Sequence, residues 1–93
     1  MTKFSRPRSW VEHRLADALD IDGAAYTVDL VARRGTGTAG YRMTVVYIPH
    51  AGGRDTEVEL GQANTTAEIH ARVRELAGAD ERLGAVFREA GAP

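Results

Sequence analysis

Two stretches, YTVDLVAR over residues 26–33 and YRMTVVYI over residues 41–48, alternate apolar and polar side chains, and a segment containing Gly35, Gly37 and Gly40 joins them. Successive side chains of an extended chain point to opposite faces, so Tyr26, Val28, Leu30 and Ala32 share one face, as do Tyr41, Met43, Val45 and Tyr47. Two such strands make an antiparallel hairpin whose apolar face the rest of the chain must cover, because an isolated hairpin is at best marginally stable in water. Pro49 stops the second strand, since proline lacks the ladder donor. After the HAGG turn, RDTEVEL over residues 54–60 reads as a third strand, with Thr56, Val58 and Leu60 inward and Asp55, Glu57 and Glu59 outward.

The joining glycines have the spacing G-x-G-x-x-G, which in dinucleotide-binding proteins cradles phosphate. That use requires a strand, the glycines and then a helix whose N-terminus faces the pyrophosphate. Here a strand follows. A kinase-type loop over ATP sits in a hairpin but needs a lysine on the next strand and the HRD and DFG segments beyond it; none is present, and Lys3 precedes the loop. The glycines therefore read as a hairpin turn, where glycine accepts positive φ without a steric penalty.

The flanks offer helices as cover. Ser9 with Glu12 forms a capping box, and Val11, Leu15, Ala18 and Leu19 then fall on one helical stripe that the Asp22–Gly23 pair ends. A second capping box, Thr65 with Glu68, opens a helix carrying Ile69, Val73 and Leu76 and closing at Gly78. Asp80 caps a last helix with Leu83, Val86, Phe87 and Ala90 on its apolar side. The expected architecture is α+β: an N-terminal helix, a three-stranded antiparallel meander and two C-terminal helices packed on one sheet face. Residues 1–8, with Lys3, Arg6 and Arg8 against no acid, read as a flexible basic arm, and residues 9–93 as a single domain.

With 93 residues, 43% hydrophobic and 27% charged, the chain has the composition of one globular domain with a thin core. No apolar run approaches the roughly 20 residues of a membrane span, and the basic start is not followed by the apolar stretch of a secretory leader. The absence of cysteine fits a reducing compartment, so a cytoplasmic location is expected. Twelve basic and thirteen acidic residues leave a net charge of −1, so the whole-molecule field exerts no pull toward nucleic acid, and any such binding must be local.

Residues that carry chemistry are sparse. His13, His50 and His70 lack the i, i+3 or i, i+4 spacing by which a helix presents metal ligands. Ser5 and Ser9 have no base in evident reach, and the acids Asp55, Glu57 and Glu59 read as the solvated side of a strand. No enzyme activity, metal or cofactor is expected. The last two helices also read as a helix-turn-helix, but Arg82 and Arg88 are interleaved with Asp80, Glu81 and Glu89, which suits core packing better than base reading.

The order α-β-β-β-α over about residues 9–77 resembles the double-stranded RNA-binding domain family. The resemblance is one of topology: where that family opens its last helix with a lysine pair that grips phosphates, this chain has Thr65, Thr66, Ala67 and Glu68. It implies a nucleic-acid-binding alternative, for which the cations are Lys3, Arg6, Arg8, Arg33, Arg34 and Arg42.

The outward side of the sheet departs from clean alternation at Val31, Val46 and Ile48. Either Trp10 or the basic arm folds over these side chains, or they form an interface. The leading expectation is a small non-catalytic interaction or regulatory module that binds a protein partner, or a second copy as a homodimer, through Val31, Val46 and Ile48; no membrane association is expected.

Overall fold

A computed structural model of the chain describes residues 10–34 and 40–91. The predicted arm with Lys3, Arg6 and Arg8, the turn glycines Gly35 and Gly37 and the side chain of Trp10 lie outside the described residues. The architecture is α+β. Four strands, β1 (Trp10–Ile21), β2 (Ala24–Arg34), β3 (Tyr41–Pro49) and β4 (Thr56–Ala63), form an antiparallel meander in the order β1-β2-β3-β4. Two helices, α1 (Thr66–Leu76) and α2 (Asp80–Gly91), follow and pack on one face.

The N-terminal helix is not formed; its residues are the longest strand. The reason lies in β1's irregular pairing with β2, which shifts register between Arg14 and Ala16 and again between Ala16 and Leu19. A bulge adds an unpaired residue and changes which side chains face inward. Val11, Leu15, Ala16, Leu19 and Ile21 thereby reach the core, a spacing close to a helical stripe. The Asp22–Gly23 pair is a two-residue hairpin turn, with φ of 54° and 90° and Ile21 paired to Ala24. Positive φ at both central residues is the conformation that matches the twist of paired strands and that Asp-Gly favours. Asp20 Oδ1 accepts the Gly23 amide at 3.0 Å and fixes the turn. With a strand in place of the first helix, the α-β-β-β-α order that resembled the RNA-binding family is absent.

The rest of the pattern holds, with small shifts. Tyr26, Val28, Leu30 and Ala32 of β2 and Tyr41, Met43, Val45 and Tyr47 of β3 face the core as their alternation requires. The fourth strand runs on to Ala63, past a register shift opposite Met43 and Thr44, with Gly61 at φ 128°. At the start of α1, Thr65 Oγ1 accepts the Glu68 amide at 3.2 Å, while Glu68 Oε1 reaches back to the Asn64 amide at 2.8 Å. Gly40, at φ 95°, lies against the β4–α1 junction, where a Cβ would sit 2.9 Å from the Ala63 carbonyl oxygen.

Both helices touch the edge strands β1 and β4, and the space over the central strands is filled by large side chains. Tyr47 is fully buried and donates its hydroxyl to the Leu83 carbonyl of α2 at 2.7 Å, with Phe87 edge-on at 4.9 Å. Burial pushes the Tyr47 phenol up to about 12, because the ionised form has no water to solvate it. The α1–α2 turn is tied to β1 by the Gly78 amide, which donates to the Leu15 carbonyl at 3.1 Å. The closing pair of helices is therefore core cover, with Leu83 buried and Phe87 half-buried against the sheet. No helix among the described residues is long and apolar enough to cross a membrane.

Candidate binding face of the sheet

The register places the outward residues in rows across the strands. Glu12, Val31, Thr44 and Glu59 form one row, and Arg14, Asp29, Val46 and Glu57 the next. In the first row carboxylates lie on the two edge strands; in the second Arg14 and Glu57 lie at the edges, with Asp29 beside Val46 in the middle. Val31, Val46 and Ile48 come together, as the broken alternation predicts, in a shallow pocket of about 180 Å³ whose rim carries Glu12, Asp29, Arg33, Asp55 and Glu57. Their exposure differs: Val31 is 3% and Val46 9% accessible, while Ile48 is half-buried. The first two behave as part of the fold, and Ile48 is the member that a partner can reach.

Asp29 is the functional-looking residue that alternation alone does not find. A strand carboxylate pointing outward is ordinarily solvated, yet Asp29 is only 8% exposed. Its Oδ1 accepts from Arg14 Nε at 2.6 Å, and Arg14 Nη1 also donates to Asp17 Oδ1 at 2.9 Å. These bonds, that with Asp29 first, hold Arg14 above its ordinary guanidinium value. The available signal was an acid inside an otherwise apolar strand, because a buried carboxylate requires a partner.

Beside this pocket the β2–β3 hairpin collects arginines. Arg33 stands directly opposite Arg42 and Arg34 opposite Tyr41. Arg34 lies 5.1 Å over the Tyr41 ring, a cation–π arrangement. Arg42 pairs with Glu59 of the neighbouring strand at 3.5 Å. Lys3, Arg6 and Arg8 fall outside the described residues.

The histidines resolve into two settings. His50 Nε2 is 2.9 Å from Thr27 Oγ1 and 3.2 Å from the Asp17 carbonyl, to which Thr27 Oγ1 donates at 3.0 Å. A carbonyl only accepts, so the threonine proton is committed to Asp17 and His50 acts as donor to both oxygens. The pair is a latch between the Pro49 turn and the bulge of β1, with no hydroxyl held for attack. His13 meets His70 edge-on at 5.3 Å, joining β1 to α1, and its Nε2 is buried with no hydrogen-bond partner. Among the described residues no group of three or more His, Asp or Glu side chains is placed to hold a metal.

No family model matches the chain, and neither a curated protein nor a solved structure is significantly similar to it.

Proposed function

We propose that the chain is a small non-catalytic binding module whose working surface is the sheet face opposite α1 and α2, and that its ligand is a protein. The observation that supports this reading is the one-sided packing of the sheet. Both helices lie on the core face, while the opposite face keeps Val31, Val46 and Ile48 inside a charged rim. An apolar centre ringed by polar groups is the usual layout of an interface core and its rim.

A protein partner fits better than a second copy. Four strands about 4.8 Å apart and about ten residues long on average present roughly 640 Å², against about 800 Å² per partner in a standard interface. Two copies stacked on this face alone would bind weakly, whereas a partner that also grips the rim gains ionic contacts. Asp29 is held by Arg14, and the exposed acids Asp55 and Glu57 lie on the same rim, so the complementary surface is an aliphatic side chain flanked by lysine or arginine.

The test is a paired capture and sedimentation experiment with wild type and Ile48→Glu. A monomeric wild type that retains a protein which the folded Ile48→Glu variant loses supports the reading. A concentration-dependent dimer abolished by the same substitution replaces the partner by a second copy. Equal retention by both proteins, with no dimer, removes this face as the working surface.

A further inference from the structure

We infer that the outer edge of β4, with the groove between that strand and α1, binds an extended peptide that joins the sheet as a further strand, at a site separate from the outer-face pocket discussed above. A meander of four strands has two edges, and the chain finishes one of them. Along β1 the ladder shifts register twice, the Leu15 carbonyl accepts the Gly78 amide of the α1–α2 turn at 3.1 Å, and the Asp17 carbonyl accepts Thr27 Oγ1 at 3.0 Å. Bulges and a covering turn keep an edge from pairing with another chain. Along β4, residues 56–59 pair in unbroken register with residues 44–47 of β3, and among the described residues no group outside that ladder bonds their backbone. An edge strand directs alternate N–H and C=O groups away from the sheet, and an incoming extended chain can pair with them.

Beside this edge a groove of about 380 Å³ opens between β4 and α1, with Met43, Leu60, Ala63 and Ala71 as its apolar lining. Met43 and Ala63 are buried, whereas Leu60 is half-buried and Ala71 exposed. Leu60 is the residue that the β3–β4 ladder skips, between Glu59 opposite Thr44 and Gly61 opposite Met43. The charged groups of the groove are already engaged: Glu68 Oε1 accepts the Asn64 amide at 2.8 Å, and Arg72 Nη1 donates to Glu75 Oε1 at 2.9 Å. The groove therefore suits an apolar side chain. The other side of the edge sets the charge. Glu57 and Glu59 are exposed and two residues apart, so both stand on the face opposite the helices. Glu57 has no ion pair among the described residues, and Glu59 meets Arg42 at 3.5 Å with both side chains more than 60% exposed, a pair that contributes little. The peptide that fits alternates, with lysine or arginine facing Glu57 and Glu59 and apolar residues facing Val58 and the groove. A second copy of β4 lacks this chemistry. Every symmetric antiparallel pairing centred within residues 56–59 sets Glu57 or Glu59 against an acid, and like charges directly opposite destabilise a ladder.

The experiment is fluorescence anisotropy of the full chain with the labelled peptide Gly-Gly-Leu-Lys-Val-Lys-Leu-Gly. Saturable binding is expected, about tenfold or more tighter than for a peptide of the same composition with the core order Lys-Lys-Leu-Val-Leu. Ala71→Arg crowds the groove from an exposed helical position with a good helix former and should weaken binding about tenfold. Glu57→Lys with Glu59→Lys should weaken it as well, and should instead bind the peptide in which glutamate replaces both lysines. Methylation of alternate backbone amides separates strand addition from charge attraction: of two peptides methylated on opposite edges, one should lose binding and the other keep it within about threefold. Ile48→Glu, in the outer-face pocket, should leave peptide binding unchanged, so the two sites are tested independently. Circular dichroism and melting of each variant establish that it is folded. Absence of saturable binding, equal affinity for the reordered peptide, equal effects of the two methylation patterns, no effect of Ala71→Arg, a loss with Ile48→Glu as large as with Ala71→Arg, or a wild-type dimer abolished by Ala71→Arg would overturn the inference.

Discussion

The two faces of the sheet are built from the same strands and solve burial differently. On the core face, side chains from all four strands meet two helices, and Tyr47, Leu30, Val28 and Val45 are fully buried. On the other face, Val31, Val46 and Asp29 reach 3%, 9% and 8% exposure with no helix among the described residues above them. One face is closed by hydrophobic packing. On the other, a buried carboxylate is braced by Arg14, and Ile48 stays half open. A strand's period tells which residues share a face, whereas the depth of each face depends on what lies over it.

The comparison sharpens most with a core deletion. Tyr47→Ala removes a fully buried aromatic and its hydrogen bond to Leu83, and should cost about 3–5 kcal/mol in denaturant unfolding. Val46→Glu asks whether the face opposite α1 and α2 is also part of the fold. A carboxylate placed there, in a pocket already holding Asp29 and Glu57, should cost about 3 kcal/mol or more, since Val46 is only 9% exposed. A loss below about 0.5 kcal/mol, as for an ordinary surface change, would break the comparison by making that face a plain surface.

Alkaline titration tests the core face alone. The Tyr47 phenol is raised above its usual value, so the neutral form favours the folded state. Its contribution is complete below about pH 10 and is lost as pH rises toward 12. At about 1.4 kcal/mol per unit the loss reaches roughly 3 kcal/mol, and it should be absent in Tyr47→Phe. Asp29→Asn weakens the brace of the opposite face and should cost about 1 kcal/mol, shrinking when Arg14→Gln is already present. Ile48→Glu, at the half-open position, should change stability by less than about 0.5 kcal/mol. A loss comparable to that of Val46→Glu would show Ile48 to be as deep as its neighbours.

Much of the core was legible because its signals are local. The alternation over 26–33 and 41–48 and the Thr65–Glu68 box each depend on a few adjacent residues, and each appears where the pattern places it. The first element was misread because two patterns competed. Val11, Leu15 and Leu19 fit a helical stripe, while Asp22–Gly23 is one of the strongest short hairpin signals, and giving the pair its hairpin meaning would have made residues 10–21 a strand. The bulges that let β1 imitate a helix are set by its pairing with β2, which no local window contains.

At the candidate sites the division is similar. The sequence alone determined that Val31, Val46 and Ile48 break the outer alternation and that residues 33–42 are basic without acids. Only the tertiary structure decided that Val31 and Val46 are buried while Ile48 is not, that Asp29 finds Arg14, and that Trp10 lies in register with Arg33 and Arg42. The physical reason is that side-chain direction follows from the backbone's period, residue by residue, whereas burial and charge clustering depend on strands that are distant in the chain and adjacent only after the ladder has set its register.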